Sequence, residues 1–116
     1  MIVNEHFKGN INSILLFLLS EHGEMYGYEI TNLVKVKTSG EITFTEGAIY
    51  PSLHKLEHKN LIQSRKEKVN GRTRKYYQIT SLGIQESERQ IASLNQLYGA
   101  MISLFGQRLN GINGID

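Results

Sequence analysis

The sequence predicts a mainly α-helical fold that contains one small β-hairpin and ends in a long helix. Three observations support this prediction. Apolar residues recur every three or four positions in three segments before residue 60, the pattern of amphipathic helices. An Asn-Gly pair at residues 70–71 lies between two segments rich in strand-forming residues, which indicates a hairpin. After residue 80, apolar residues repeat at heptad spacing, which predicts a helix that packs against a partner helix.

The composition predicts one soluble globular domain. A chain of 116 residues can bury one modest core but not two, and its 40% hydrophobic and 21% charged residues lie near globular averages. The absence of cysteine excludes disulfides, thiolate nucleophiles and cysteine-bound zinc, and it favours a cytoplasmic location. The longest apolar run covers only residues 14–19, whereas a membrane-spanning helix needs about 20 residues, so no membrane partner is expected.

Two helices are predicted before residue 40. The first covers roughly residues 5–22, because an apolar stripe at helical spacing is followed by Gly23, a typical helix stop. Its stripe consists of Ile11, Ile14, Leu15 and Leu18. The second helix is short and ends before the turn at residues 38–40. Its stripe consists of Tyr26, Ile30, Leu33 and Val34.

A third helix is predicted from Thr45, whose hydroxyl can cap the first turn, to about Lys59. Its buried stripe consists of Ile49, Leu53 and Leu56. The opposite face consists of Gly47, Pro51, His54, Lys55 and His58. The side chains of this face are small near the helix start and basic further along. Pro51 lies beyond the first turn and is expected to kink or tighten the helix there.

The hairpin is predicted from residues 61–69 and 74–79, which flank Asn70-Gly71. Asn-Gly supplies the positive φ angles that a two-residue reversal requires. Alternation along the second strand places Tyr77 and Ile79 on one face and Tyr76 and Gln78 on the other.

The last helix is predicted to begin after Thr80, as N-cap, and to run to about Arg108. Its heptad positions are Ile84, Ser87, Ile91, Leu94, Tyr98, Met101 and Phe105, of which only Ser87 is a poor match to an apolar seam. Because such a seam requires a partner helix, we expect a homodimer. The chain then divides into a unit of three helices and the hairpin over residues 1–80, a dimerisation helix over 81–109 and a flexible tail over 110–116.

Positive charge is concentrated in one segment. Residues 55–75 contain eight Lys or Arg residues and two Glu residues, a local net charge of +6. Because the whole chain carries +2, the remainder carries −4. This asymmetry is typical of a surface that follows nucleic-acid phosphates, although Lys66 and Lys68 are equally consistent with a solvated strand face.

The order of helix, helix, helix, hairpin and helix is that of a winged helix-turn-helix. Residues 1–80 are therefore predicted to form a winged helix-turn-helix DNA-binding domain. Within it, the segments Met25–Ile30, Gly47–Glu57 and Gly71–Thr80 together resemble the PadR family of bacterial transcriptional regulators. The resemblance covers about residues 11–83, and the single last helix resembles the short subgroup, whose members dimerise through it. It implies a homodimeric repressor that releases double-stranded operator DNA when a small molecule binds. The family commonly has a polar residue where this chain has Ala48.

Ten residues are candidates for DNA contact, at the start of the third helix and in the hairpin, or wing. They are Thr45, Gly47, Ala48, Tyr50, Pro51, Ser52, Lys55, Arg72, Arg74 and Lys75. Small residues let the helix start approach the groove, hydroxyl and ammonium groups can donate to phosphates or base edges, and wing cations can neutralise flanking phosphates. Tyr50 is also a candidate core aromatic.

Six residues of the last helix are candidates for a combined dimer and ligand interface. They are Ile91, Leu94, Tyr98, Met101, Ile102 and Phe105. Met and aromatic side chains can repack around a small apolar or aromatic effector. A dry, tightly packed seam between two subunits is the alternative.

No catalytic apparatus is recognised in the sequence, so the protein is not expected to be an enzyme, and no cofactor is expected. His54 and His58 lie one helical turn apart, but they lack the further ligands of a metal site. The alternative to a DNA-binding regulator is a protein-interaction module that keeps the winged-helix scaffold without binding DNA.

Overall fold

The computed structural model describes residues 9–106 and 108. Four helices and three strands follow in the order α1 (Ile11–His22), β1 (Met25–Tyr26), α2 (Gly27–Lys37), α3 (Glu46–His58), β2 (Ile62–Val69), β3 (Arg72–Ile79) and α4 (Ser81–Phe105). The mainly α-helical fold with a small hairpin and a long last helix is confirmed. None of the described helices combines the length and the apolar character that crossing a membrane requires.

The core forms between α1, the inner faces of α2 and α3, and the sheet. Leu15 and Leu16 of α1 and Leu53 of α3 are completely buried. The predicted stripe of α3 is confirmed, because Ile49 and Leu56 are no more than 2% exposed. Burying this stripe fixes the rotation of α3, and the opposite face of the helix therefore points to solvent.

The sheet is antiparallel, and β3 lies at its centre between β1 and β2. Tyr77 of β3 pairs with Met25 of β1 and Ser64 of β2, and its ring is only 1% exposed. Ile79 also packs against the core, whereas Gln78 is exposed, which confirms the predicted alternation. Asn70 and Gly71 adopt φ angles of 52° and 78°, so the predicted tight turn joins β2 to β3.

Strand β1 was not predicted, because two residues carry no readable alternation. Tyr26 was assigned to the apolar stripe of the second helix. It lies instead in β1, opposite Tyr76, and its extended backbone makes it the N-cap of α2. The Glu29 side chain accepts a hydrogen bond from the Tyr26 backbone N–H at 3.1 Å, which fixes the transition from strand to helix.

Two predicted helix boundaries are wrong. Residues 9 and 10 form a turn, so α1 begins at Ile11, within the predicted range of 5–22. The last helix ends at Phe105 and not at about Arg108, because Gly106 turns the chain with a φ of 55° while its N–H still bonds to the Ile102 carbonyl. Residues 5–8 of the first predicted helix and the proposed tail at 110–116 lie outside the described residues.

The start of α4 packs directly on the segment between α3 and β2 and on the end of β3. A Cβ atom built on Gly83 would lie 2.0 Å from the Leu61 carbonyl oxygen and 2.6 Å from Cγ1 of Ile79. The Thr80 hydroxyl caps the helix by accepting from the Gly83 N–H at 3.0 Å, which confirms the predicted N-cap. Only glycine permits this close approach, which the sequence did not reveal.

Further along α4, the helix packs on α1. Ser87 is 4% exposed within the single chain. Its assignment to a seam that faces a partner helix is therefore wrong, since its own chain covers it. One turn later, the Ser13 hydroxyl donates to Oε1 of Gln90, whose amide donates to Glu86 at 2.7 Å. These contacts fix the direction in which α4 leaves the domain.

Gly83→Ala is expected to lower the free energy of unfolding by about 1–3 kcal/mol, because the methyl group meets backbone that must move. Gly47→Ala is the control, since the nearest atom to its built Cβ is Oγ1 of Thr45 at 4.0 Å. The control should change stability by less than about 1 kcal/mol. Urea denaturation of both variants at one protein concentration checks this, and equal stabilities would contradict the tight contact.

Candidate nucleic-acid interface

The exposed face of α3 forms the centre of the candidate interface. The Thr45 hydroxyl accepts a hydrogen bond from the Ala48 N–H at 3.1 Å, which confirms the predicted cap. The helix continues through Pro51 to His58. Five of the predicted contact residues are exposed along this face, and Ser52 is half-buried. The five exposed residues are Thr45, Gly47, Ala48, Pro51 and Lys55.

Tyr50 lies on the edge of this face that points toward the wing. Tyr50 is 37% exposed, so the alternative assignment of this residue to the core is wrong. Its hydroxyl donates to Glu46 at 3.4 Å. Partial burial, reinforced by the Glu46 charge, raises the pKa of the Tyr50 hydroxyl. Tyr50 therefore stays a neutral hydrogen-bond donor at physiological pH.

A groove separates α3 from the wing. It encloses about 620 Å³ and is open along one side. Its walls consist of Tyr26, Gly27, Tyr28, Glu46, Tyr50, Val69, Asn70, Arg72, Thr73, Arg74 and Lys75. Tyr26, Tyr28 and Glu46 were not predicted, because only folding brings the starts of α2 and α3 beside the wing. Its floor is tight, since a Cβ on Gly27 would lie 3.1 Å from the Tyr50 hydroxyl oxygen.

The cations of residues 55–75 differ in their partners. Arg65 donates two hydrogen bonds to Glu24, at 2.7 and 2.8 Å, and one to Glu67 at 3.1 Å. These bonds raise the pKa of Arg65 and lower that of Glu24. Lys75 lies 3.6 Å from Glu57. Within residues 9–106, the ion pairs of this segment involve only these two cations.

The two arginines predicted to contact DNA are placed differently. Arg72 is exposed beside the turn of the wing. Arg74 is half-buried, and its guanidinium lies 4.4 Å from the centre of the Tyr26 ring. A hydrogen bond to Tyr76 raises the pKa of Arg74. Neither arginine is in an ion pair in the described part of the chain. The charge of Glu29 adds to the raised pKa of Arg74.

A second candidate surface runs along the last half of α4. A mainly apolar cavity of about 710 Å³ lies against this helix. It is lined by Asn10, Leu94, Asn95, Leu97, Tyr98, Met101 and Phe105, which include four of the six predicted interface residues. Ile91 lies apart, in a smaller cavity beside Phe17 of α1, and Ile102 is 47% exposed outside both. Among the described residues, no group of three or more His, Asp or Glu side chains is placed to hold a metal ion.

Residues 15–89, more than half of the chain, match the profile described as the transcriptional regulator PadR-like family. The chain belongs to this family. The PadR-like assignment confirms the resemblance found in the sequence and the role of a transcriptional regulator. The residues assigned to DNA contact and to the dimer interface stay predictions.

Similar proteins share most of this PadR-like chain. An uncharacterized protein of Lysinibacillus sphaericus is 36% identical over 84 residues, which are 72% of this chain and 76% of that protein. A transcriptional regulator from Clostridium thermocellum superposes with a TM-score of 0.78 at 29% identity, over 91% of this chain and 99% of that one. Bacillus subtilis PadR in complex with operator DNA has a TM-score of 0.63 at 29% identity, over 70% of this chain and 46% of that one.

In this PadR-like chain, Glu57 links α3 to both strands of the wing. Its carboxylate accepts from the Ser64 hydroxyl of β2 at 2.5 Å and faces Lys75 of β3 at 3.6 Å. The hydrogen bond from Ser64, and then the charge of Lys75, lower the pKa of Glu57 against the opposing effect of burial. The ionised carboxylate therefore favours the folded arrangement of helix and wing.

Because its pKa in the folded chain lies below the ordinary 4.5, Glu57 stabilises the fold above that pH and loses this effect as pH falls through and below it. Glu57→Gln should therefore be less stable than wild type near pH 7, and the difference should shrink below pH 4.5. Urea denaturation across this range measures it. Glu41→Gln, in an exposed loop, is the matched control, and a pH-independent difference for Glu57→Gln would contradict the linkage.

Proposed function

We propose that this regulator is a homodimeric repressor that binds operator DNA with α3 in the major groove and the wing on flanking phosphates. One observation carries the proposal. The start of α3 borders the same groove as Arg72 and Arg74, two cations that lack a carboxylate partner among residues 9–106. Bacillus subtilis PadR, a similar protein, was solved in complex with operator DNA, which supports operator binding by this chain.

The start of α3 suits close approach to base edges. Gly47 and Ala48 project at most a methyl group, so the helix can enter deeply, and Ala48 can contact a thymine methyl where its family commonly has a polar side chain. Thr45, Ser52 and Lys55 supply donors beside them. The cap occupies Thr45 as an acceptor but leaves its hydroxyl hydrogen free to donate to a phosphate.

The wing supplies most of the electrostatic attraction. We assign phosphate or minor-groove contact first to Arg72 and Arg74, since neither is in an ion pair among residues 9–106. Lys75 faces Glu57, so its main part is to hold the wing against α3 while adding to the local positive potential. Counterions released from the neutralised phosphates make this binding depend on salt.

The last half of α4 presents the surface for a second copy. Tyr98 is 66% exposed, Leu104 80% and Phe105 51%, and such a concentration of apolar side chains on one helix is typical of an interface. Two domains joined through this helix would present their α3 helices to successive major grooves, provided that the separation is about 34 Å or a multiple of it.

The apolar cavity on α4 is the candidate effector site. Its volume of about 710 Å³ is of the size that accepts small ligands, and a second subunit would cover its open side. The chain has no Trp, so a flat aromatic effector would stack on Tyr98 or Phe105. Binding there would shift the two subunits, change the separation of the α3 helices and release the operator.

Fluorescence anisotropy on duplex DNA at several salt concentrations tests DNA binding. Arg72→Ala should lower the slope of log affinity against log salt by about 0.9, the effect of one lost phosphate contact. Arg65→Ala is the matched control, because Glu24 and Glu67 already neutralise that guanidinium, and its slope should stay unchanged. Salt-independent or absent binding by wild type would favour a protein-interaction module.

Sedimentation tests the dimer. Tyr98→Asp should convert the protein to monomers and weaken operator binding, because a charge would be buried in the apolar interface. Leu82→Asp changes a comparably exposed residue, 52% exposed, at the opposite end of the same helix, and it should stay dimeric. A dimeric Tyr98→Asp variant would refute the assigned interface.

A further inference from the structure

A row of two tyrosine rings flanked by two arginine side chains crosses the outer face of the sheet. Arg65 of β2 and Tyr26 of β1 both pair with Tyr76 of β3. The Arg65 guanidinium lies 4.7 Å from the Tyr76 ring centre, and the Tyr76 and Tyr26 rings meet edge to face at 5.4 Å. Arg74, two residues before Tyr76, lies over the Tyr26 ring at 4.4 Å. The row thus joins β1 to both strands of the wing.

The two arginines of this row are held by different chemistry. Carboxylates fix Arg65, and in doing so they cancel its charge and occupy its donors. The Tyr26 ring, whose face attracts a cation but carries no net charge, holds Arg74 together with a hydrogen bond to Tyr76. Arg74 is therefore oriented while its positive charge is retained, which is the combination that a phosphate contact requires.

We propose that Tyr26 is a positioning residue for operator binding, which holds the Arg74 guanidinium over its ring so that the wing meets DNA with this side chain already ordered. The proposal rests on the proposed DNA-binding function. Tyr26 can do this because β1 anchors it to β3, and its other neighbour, Tyr28, stacks at 6.4 Å. Ordering Arg74 before binding removes part of the conformational entropy that binding otherwise costs.

The test is a double-mutant cycle in which fluorescence anisotropy measures the affinity of each variant for duplex DNA. Tyr26→Leu should weaken binding by about two- to fivefold, the effect of one exposed cation–π contact, and should leave the salt slope unchanged, since Arg74 still reaches its phosphate. Tyr26→Phe keeps the ring and should bind like wild type. In an Arg74→Ala background, Tyr26→Leu should have no further effect.

A second readout does not require DNA. In free wild type and in Tyr26→Phe, the ring should shift the Arg74 δ-proton NMR resonances upfield, and Tyr26→Leu should abolish the shift. Additive losses in the cycle, a Tyr26→Phe variant as weak as Tyr26→Leu, or tighter binding by Tyr26→Leu would each overturn the positioning role. If Arg74→Ala weakens binding but Tyr26→Leu does not, only this inference fails. If wild type shows no salt-dependent binding, the proposed function fails as well.

Discussion

The apolar surface of α4 is the constraint on which the rest of the account depends. The first half of this helix is fixed to its own domain by the Gly83 contact and the buried Ser87. The second half continues outward with Tyr98, Leu104 and Phe105 largely exposed in the described chain. Hydrophobic area of this kind favours burial against a partner, and in the proposed homodimer a second copy of the helix would bury it. The rigid start of α4 would then fix the separation of the two α3 helices.

The arrangement of charge follows from the same packing. Burial of Ile49, Leu53 and Leu56 turns the small-residue face of α3 outward, and Glu57 holds the wing beside that face through Ser64 and Lys75. Glu24 and Glu67 neutralise Arg65, whereas Arg72 and Arg74 lie nearer the turn of the wing and have no carboxylate partner among residues 9–106. A nearly neutral protein thereby presents a concentrated positive surface where DNA is proposed to bind.

Local signals made much of this fold predictable. The α3 stripe, the Thr45 and Thr80 caps and the Asn70-Gly71 turn each depend on residues within a few positions of one another, and each is confirmed. The features that were missed depend on distant residues. Strand β1 forms only because it pairs with β3. Gly83 is required by the close approach of Leu61, and Ser87 is buried by its own chain. The sequence does not distinguish Arg65 from Arg74. Only the fold shows that Arg65 forms ion pairs with carboxylates and that Arg74 contacts tyrosine side chains instead.

The central claim is that two subunits joined through α4 present their α3 helices at a spacing that duplex DNA accepts. The chain contains no cysteine, so a single His54→Cys substitution on the exposed face of α3 permits specific spin labelling. Double electron–electron resonance on the labelled protein should give an intersubunit distance of about 34 Å or a multiple of it, to within the length of the label side chain. A separation between these values, or no intersubunit coupling at all, would contradict the account.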